Sequence, residues 1–281
     1  MASRLGFDRP VFIVSPPRAG SSLLFRTLMQ APDLYTIGGE SHALIEGLPP
    51  LHPRARNWSS NLLTAEDATP AIAEALAARF TSALRDREGR RPNGAVRMAE
   101  KTPKNSLRID FLSEIFTDSI FVYLHRGVRE TLSSMIEAWE SGRFRTYPAL
   151  PGWPGGSWSL LLVPGWRDLI GRPLAEIVGR QWATTTGILL DSLERLPPER
   201  IRVLTYESLL ASPAATIASL CASLGLGWDR DLDPRLPHSP SVVSAPEPGK
   251  WRRHEAELER IWPLVAEQEE RARAFLARAP R

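Results

Sequence analysis

The sequence predicts an α/β fold in which a parallel sheet is flanked by helices. Four short apolar, strand-like runs recur along the chain, at residues 11–14, 95–98, 120–124 and 201–204. Segments with helical periodicity separate these runs, and such alternation is typical of a parallel sheet. Because 281 residues of ordinary composition can bury one large core, we predict a single domain over residues 1–281.

The first strand-like run leads directly into a predicted anion-binding loop. Residues 10–30, PVFIVSPPRAGSSLLFRTLMQ, read as an apolar strand, a tight polar loop and the start of a helix. At such a junction the free N–H groups and the positive dipole end of the helix face whatever the loop encloses. Arg18 adds a fixed cation. The residues expected to hold an anion there are Arg18, Ala19, Gly20, Ser21 and Ser22.

The order of these residues weighs against a nucleoside triphosphate as the ligand. A triphosphate-binding loop has a lysine directly before its Ser or Thr, whereas here Gly20 precedes Ser21 and the cation is Arg18. The strands before His125 and Tyr206 also lack the closing Asp that organises magnesium in a kinase. A P-loop kinase therefore remains only an alternative.

Helix signals lie between and after the strands. Thr69, followed by Pro, caps a stretch with apolar residues at four-residue spacing, and Ser212, also followed by Pro, begins a helix that stops at Gly225. Residues 255–277 are charged on one face and apolar on the other, so we predict an outer helix that Pro263 interrupts.

The loop at residues 18–22 and a second motif further along the chain together resemble the donor site of sulfotransferases that use 3′-phosphoadenosine 5′-phosphosulfate (PAPS). Arg-x-Gly-Ser-Ser after a buried strand resembles their 5′-phosphosulfate loop. Arg126, at the end of the strand at 120–124, and Ser134, two turns into the next helix, resemble the pair that holds the 3′-phosphate. The resemblance implies that Arg126 and Ser134 bind the 3′-phosphate here.

Three shorter matches follow in the order that this family shows. EKTP at residues 100–103 resembles an element of bacterial and tyrosylprotein sulfotransferases whose lysine reaches the sulfuryl region. The tyrosine of RVLTYESLL resembles one at the nucleotide edge, and GKWR at residues 249–252 resembles the late basic loop that closes over the 3′-phosphate. These matches add Lys101, Tyr206, Lys250, Trp251 and Arg252 to the expected site. The resemblance covers residues 10–255.

The reaction that the resemblance implies is in-line sulfuryl transfer from PAPS to a hydroxyl or amine of a small-molecule, lipid or natural-product acceptor, without a metal. Arg18 stays protonated and would stabilise charge on the leaving oxygen, with Lys101 as a second candidate, whereas Lys104 is expected to be peripheral. Glu40 lies near the position of the catalytic glutamate of Golgi-type sulfotransferases and suits concerted proton removal. His42 is the rival base.

Residues 146–171, TYPALPGWPGGSWSLLLVPGWRDLIG, interrupt the alternation of strands and helices. Prolines and glycines prevent a long regular element, while Trp153, Trp158 and Trp166 argue against disorder. We predict an ordered lid or a wall of the acceptor pocket. The alternative is a satellite core or an oligomer contact; no oligomeric state is predicted.

Composition limits the partners and the location. The net charge of +3 and the absence of a Lys/Arg run argue against a nucleic-acid partner. A single cysteine, Cys221, excludes an internal disulfide, and its helical spacing predicts a core position. No apolar run approaches the ~20 residues of a membrane helix and no signal peptide is apparent, so we expect a cytoplasmic protein without stable membrane insertion.

A nucleotide-binding sensor or scaffold with the same fold is the remaining alternative. Such a protein would have no need of a catalytic base. Arg18, Glu40 and Lys101 are all present, so the sequence favours an enzyme.

Overall fold

The computed structural model describes residues 6–237, 242–244 and 247–279. Within these ranges the strands are β1 (Val11–Val14), β2 (Ala99–Lys101), β3 (Ile120–His125), β4 (Arg145–Tyr147), β5 (Trp158–Ser159) and β6 (Ile201–Thr205). Four of them form a parallel sheet in the order β2-β1-β3-β6, and β4 pairs with β5 in a separate antiparallel ribbon.

Helices cover both faces of the parallel sheet, which confirms the predicted fold class. In the described ranges they are α1 (Ser21–Leu28), α2 (His42–Glu46), α3 (Pro70–Ala83), α4 (Ile109–Ile115), α5 (Val128–Glu140), α6 (Leu174–Glu194), α7 (Tyr206–Ala211), α8 (Pro213–Leu224) and α9 (Glu255–Arg278). Alternate residues of β1 show why two layers are needed. Phe12 and Val14 pack into one hydrophobic cluster, whereas Val11 and Ile13 pack into another.

Three of the four predicted strands lie where the sequence placed them. The second is displaced along the chain: continuous pairing with β1 begins at Ala99, after the predicted run at 95–98. Val96 and Met98 of that run make only isolated bridges, to Phe7 and Tyr35.

Helix boundaries follow the predicted capping signals, with one exception. The Thr69 hydroxyl accepts a hydrogen bond from the N–H of Ile72, and Gly225 ends α8 with a φ of 68°. The prediction that Pro263 interrupts the last helix is wrong, because α9 runs through it. The apolar face of α9 is buried against the protein on both sides of Pro263, and this packing outweighs one lost N–H.

The topology brings the predicted site residues to one edge of the sheet. β2 and β3 lie on opposite sides of β1, so the chain leaves β1 at a switch point, where α/β sheets open a crevice at the carboxyl ends of their strands. The loop after β1, Lys101 at the end of β2, Arg126 after β3 and Tyr206 after β6 all lie at this edge.

The tryptophan-rich segment 146–171 is ordered and has a small core of its own. Trp158 and Trp166 are fully buried. Trp153 packs edge-on against both, with ring centroids 5.0 Å from Trp158 and 6.2 Å from Trp166. The cluster joins this segment to Leu107 and Ile177 of the main body.

Candidate active site

A cleft of about 790 Å³ opens at the carboxyl edge of the sheet and contains most of the predicted site. The predicted residues that line it are Arg18, Gly20, Ser21, Ser22, Glu40, His42, Arg126, Ser134, Tyr206, Lys250 and Trp251. Ala19 and Lys101 are buried and do not line the cleft, and Arg252 is exposed outside the lining. The sequence therefore identified residues that the fold brings together from five separate segments.

The loop after β1 has an unusual backbone. Arg18 has a φ of 70° and Gly20 a φ of 99°, both in the left-handed region. This conformation is uncommon for a residue with a side chain, and backbone strain of this kind is concentrated at binding sites. Ser106 anchors the loop start, since its hydroxyl accepts from the Ser15 N–H at 3.0 Å and donates to the Ser15 carbonyl at 2.6 Å.

Arg126 connects the loop to the end of β3. Its Nη1 donates to the carbonyl oxygen of Arg18 at 3.0 Å, and its guanidinium lies 4.8 Å from the ring centre of Tyr206. The cation at the strand end is thus held in place from two directions. It can present its remaining N–H groups to an anion in the cleft.

The Arg18 side chain lies closer to α5 than the sequence indicated. Its Nε donates to the Ser134 hydroxyl at 3.3 Å, and its guanidinium lies 4.5 Å from the ring centre of Phe144. Burial lowers the pKa of Arg18 to about 10, and the charge of Arg126 adds to this effect, so Arg18 remains protonated at neutral pH. Arg18 and Ser134, which the resemblance assigns to the 5′-phosphosulfate and to the 3′-phosphate of PAPS, contact each other in this structure.

Glu40 is held between two hydrogen-bond partners. One carboxylate oxygen is bonded to the Lys101 ammonium and the other lies 2.7 Å from Nε2 of His42. Burial acts to raise the pKa of Glu40, but the hydrogen bond with His42 and the charge of Lys101 outweigh it and lower the pKa to about 2. Glu40 is therefore an ionised carboxylate in the cleft wall.

Lys101 links this carboxylate to the anion-binding loop. Its side chain is only 4 % exposed, and Nζ also donates to the Ser22 hydroxyl at 3.0 Å. The ammonium therefore lies between the start of α1 and Glu40.

The EKTP element also positions the segment that carries Glu40, a role that the sequence did not reveal. The Ser41 N–H donates to the Thr102 hydroxyl at 2.7 Å, and that hydroxyl donates to Glu100. Glu100 is fully buried, and burial raises the pKa of its carboxyl. Because Ser41 lies directly between Glu40 and His42, this network fixes both candidate bases.

The late basic segment is tied to α5 through a glutamate that the sequence did not single out. Lys250 donates to Glu137 at 3.0 Å, and Arg253 lies 2.6 Å from the other oxygen of the same carboxylate. Glu137 is 7 % exposed and lines the cleft. Nothing in the local sequence distinguishes Glu137 from the other acidic residues of an amphipathic helix, since only the fold places it beside Lys250.

Part of the cleft lining is apolar. Leu23, Pro103, Phe144, Leu160 and Leu161 contribute to its lining. Leu160 has a φ of 63°, a rare backbone state for a leucine. Of the segment 146–171, the described lining residues are Thr146, Leu160 and Leu161, whereas the three tryptophans pack behind them and do not line the cleft.

The described residues meet the requirements of neither a three-ligand metal site nor a membrane-spanning helix. In the ranges that the structure describes, no three His, Cys, Asp or Glu side chains are grouped closely enough to hold a metal ion. None of the helices in the same ranges has the length and apolar character needed to cross a membrane.

The fold and the cleft define an α/β protein whose cleft opens at the carboxyl edge of a parallel sheet, beside the loop after β1. A family model described as "Sulfotransferase family" matches residues 10–230, which is most of the chain, so the chain belongs to the sulfotransferase family. No curated protein sequence gives a significant match.

Solved structures with this fold come from bacteria and from a mammal. The chain is 18 % identical to a sulfotransferase from Alicyclobacillus acidocaldarius, with a TM-score of 0.50 and coverage of 96 % of this chain and 97 % of that one. A Mycobacterium avium sulfotransferase has 14 % identity, a TM-score of 0.52 and coverage of 92 % and 76 %. A mouse sulfotransferase complexed with 3′-phosphoadenosine 5′-phosphate (PAP) has 14 % identity, a TM-score of 0.50 and coverage of 99 % of this chain and 95 % of that one. At these identities the likeness concerns the fold alone.

Proposed function

We propose that this protein transfers a sulfuryl group from PAPS to a hydroxyl, or less favourably an amine, of a small-molecule, lipid or natural-product acceptor, and releases 3′-phosphoadenosine 5′-phosphate (PAP). Family membership supports sulfuryl transfer in general. The observation that carries the proposal is that Glu40 and the loop after β1 line one cleft and are joined through Lys101.

The donor half of the cleft fits a nucleotide with two phosphate groups. The loop and the first turn of α1 provide backbone N–H groups, and Arg18 provides a protonated guanidinium. Arg126 and Ser134 provide further donors at a second point of the cleft. We assign the 5′-phosphosulfate to the loop and the 3′-phosphate to Arg126 and Ser134, so Arg18 would release Ser134 when the nucleotide binds.

Arg18 and Lys101 would stabilise the charge that develops during transfer. As the S–O bond to the nucleotide breaks, negative charge grows on the bridging oxygen, and donors aimed there lower the barrier. Arg18 does not give up a proton near neutral pH because its pKa is about 10. Lys101 is placed to turn from Glu40 toward the transferred group.

Glu40 would accept the proton of the acceptor hydroxyl. An alcohol becomes acidic only as its new S–O bond forms, so an ionised carboxylate of low basicity is sufficient for a concerted step. When Lys101 turns away, Glu40 loses one of the interactions that hold its pKa near 2 and becomes a better base. His42 would keep the carboxylate oriented.

Lys250 would exchange one anion for another. Its ammonium donates hydrogen bonds to Glu137 and to Ser244. We propose that the 3′-phosphate takes over part of this pairing, with Trp251 closing the same side of the cleft. Arg252 would join the site only if the late segment shifts on binding.

Calorimetry with PAP and with ATP plus magnesium, together with an assay of PAPS conversion in the presence of an acceptor extract, separates the three functional classes. A sulfotransferase binds PAP at least 100-fold more tightly than ATP and turns over PAPS. A kinase would prefer ATP with magnesium. A sensor or scaffold would bind PAP without converting PAPS.

A further inference from the structure

A second polar cluster lies beside the proposed acceptor position. Lys104, expected to be peripheral, is in fact 4 % exposed, and its Nζ donates to the two carboxylate oxygens of Glu46 at 2.8 and 2.9 Å. Arg108, which is fully buried, donates to one of these oxygens at 2.5 Å. Asn61 donates to the same oxygen at 3.3 Å, and Tyr147 lies 3.3 Å from Lys104.

Only the two members of the central ion pair face the cleft. Glu46 and Lys104 line it, whereas Arg108, Asn61 and Tyr147 do not. Burying an ion pair costs free energy unless further groups satisfy it, so a pair exposed to a binding cleft calls for an explanation. The three supporting residues fix its geometry from behind.

The hydrogen-bonding capacity of the pair is not exhausted. Oε1 of Glu46 accepts from three groups, whereas within the described residues Oε2 accepts from Lys104 alone, and an ionised carboxylate oxygen has two lone-pair directions. Lys104 directs its three N–H groups at the two oxygens of Glu46 and at the Tyr147 hydroxyl, and the contact with Tyr147 is the longest of the three, at 3.3 Å. The pair therefore offers one open acceptor position and, beside it, one weakly engaged donor.

A short helix sets the distance from this pair to the proposed base. Glu46 follows His42 by four residues on α2, which places both on the same face of the helix, about 6 Å apart along its axis. His42 is bonded to Glu40. A molecule that places one group at Glu40 can thus place another at Glu46.

We infer that Glu46 and Lys104 bind a second hydroxyl group of the acceptor. A hydroxyl both donates and accepts, so it can donate to Oε2 of Glu46 while it accepts from the Lys104 N–H that otherwise makes the 3.3 Å contact with Tyr147. A carboxylate or an ammonium would match only one of the two and would meet a like charge at the other. The inference rests on the proposed function and narrows its acceptor class.

The apolar residues that line the cleft indicate what the carbon skeleton of the acceptor should be. Leu23, Pro103, Leu160 and Leu161 are apolar, so the carbon skeleton between or around the two hydroxyls should be apolar as well. The expected acceptor is a diol or polyol with an apolar body and two hydroxyls several bonds apart.

The test measures sulfation of matched alcohols with PAPS as the donor. The probes are 1-hexanol and its diols with the second hydroxyl at carbon 2, 4 or 6. At least one diol whose hydroxyls are separated by several carbons should show a kcat/KM about tenfold or more above that of 1-hexanol. Equal values for 1-hexanol and all diols would overturn the inference.

Two variants and a control assign the preference to the pair. Lys104→Met leaves Glu46 paired with Arg108, so the buried charges stay balanced, and it should reduce the ratio of diol to 1-hexanol to about one third or less. Glu46→Gln should do the same and serves if the first variant does not fold. Tyr147→Phe alters the same cluster away from the cleft and should keep the ratio. An unchanged ratio in both Glu46 and Lys104 variants would refute the assignment.

The outcomes also separate this inference from the proposed function. If PAP binds in calorimetry and no probe is sulfated, the diol inference fails while the donor site stands. If PAP does not bind, the proposed function itself fails. Preference for 1-hexanol over every diol would contradict the inference alone.

Discussion

The ring of Tyr206 occupies the space that a side chain on residue 20 would need. A Cβ added to Gly20 would lie 2.3 Å from a ring carbon of Tyr206, far inside contact distance. The guanidinium of Arg126 also packs on the ring of Tyr206, and it donates a hydrogen bond to the carbonyl oxygen of Arg18 in the loop. The absence of one methyl group thus allows three segments of the donor site to meet.

Gly20→Ala should weaken PAP binding about tenfold or more. The new methyl group must displace Tyr206, and its backbone would be strained at a φ of 99°. Calorimetry with PAP measures the effect. Gly39→Ala is a suitable control because its Cβ would have open space and no positive φ opposes it. Equal PAP affinity in the Gly20 variant and the native protein would show that the contact has no part in binding.

Ser134→Ala should weaken PAP binding about tenfold and leave adenosine 5′-phosphate binding nearly unchanged. The lost interaction is a hydrogen bond to a charged group, worth about 1.5 to 3 kcal/mol, and only PAP carries the 3′-phosphate. Arg126→Ala should weaken PAP binding more than Ser134→Ala does, and because Arg126 also supports the loop it should weaken adenosine 5′-phosphate binding as well, by a smaller factor. Parallel loss for both nucleotides would remove Ser134 from the 3′-phosphate site.

Glu137→Gln should tighten PAP binding several-fold. The carboxylate now neutralises Lys250 and Arg253, so its removal leaves more positive charge for the phosphate groups. Glu140→Gln, on an exposed turn of the same helix, is the matched control. Weaker PAP binding by the Glu137 variant would mean that the ion pairs hold the late segment in its binding position.

The pH dependence of turnover should distinguish the two candidate bases. The pKa of Glu40 is lowered to about 2, so its carboxylate stays ionised as the pH falls from about 8 to about 5, and kcat/KM, which reports the groups of the free enzyme, should not decrease through Glu40 over that range. An acid-side loss of kcat/KM in the native protein, together with a fall in turnover of roughly 10² to 10⁴ fold in His42→Gln, would transfer the role of base to His42.

The sequence predicted the fold and the strand–loop–helix junction at the end of β1 because both depend on local patterns. Strand and helix periodicities, helix caps and the Arg-x-Gly-Ser-Ser loop occupy short continuous stretches. The exception among the helices is α9, where burial of its apolar face outweighed the local effect of Pro263.

The features that escaped prediction depend on contacts between distant segments. Glu137 meets Lys250 across 113 residues, and Lys104 meets Glu46 across 58. No local pattern marks such pairs. The tryptophans of the segment 146–171 were correctly expected to be ordered, but aromatic composition alone does not distinguish a pocket wall from the core behind it.

Transfer of radiolabelled sulfate from PAPS tests the central claim most directly. The native protein and Glu40→Gln are incubated with ³⁵S-labelled PAPS and the hexanediol probes or an extract of small molecules, and labelled product and PAP are quantified. We predict labelled product and stoichiometric PAP from the native protein. The Glu40 variant should show turnover reduced by roughly 10² to 10⁴ fold, with PAP affinity within about threefold of native. PAP binding without any labelled product, or equal turnover by both proteins, would contradict the account.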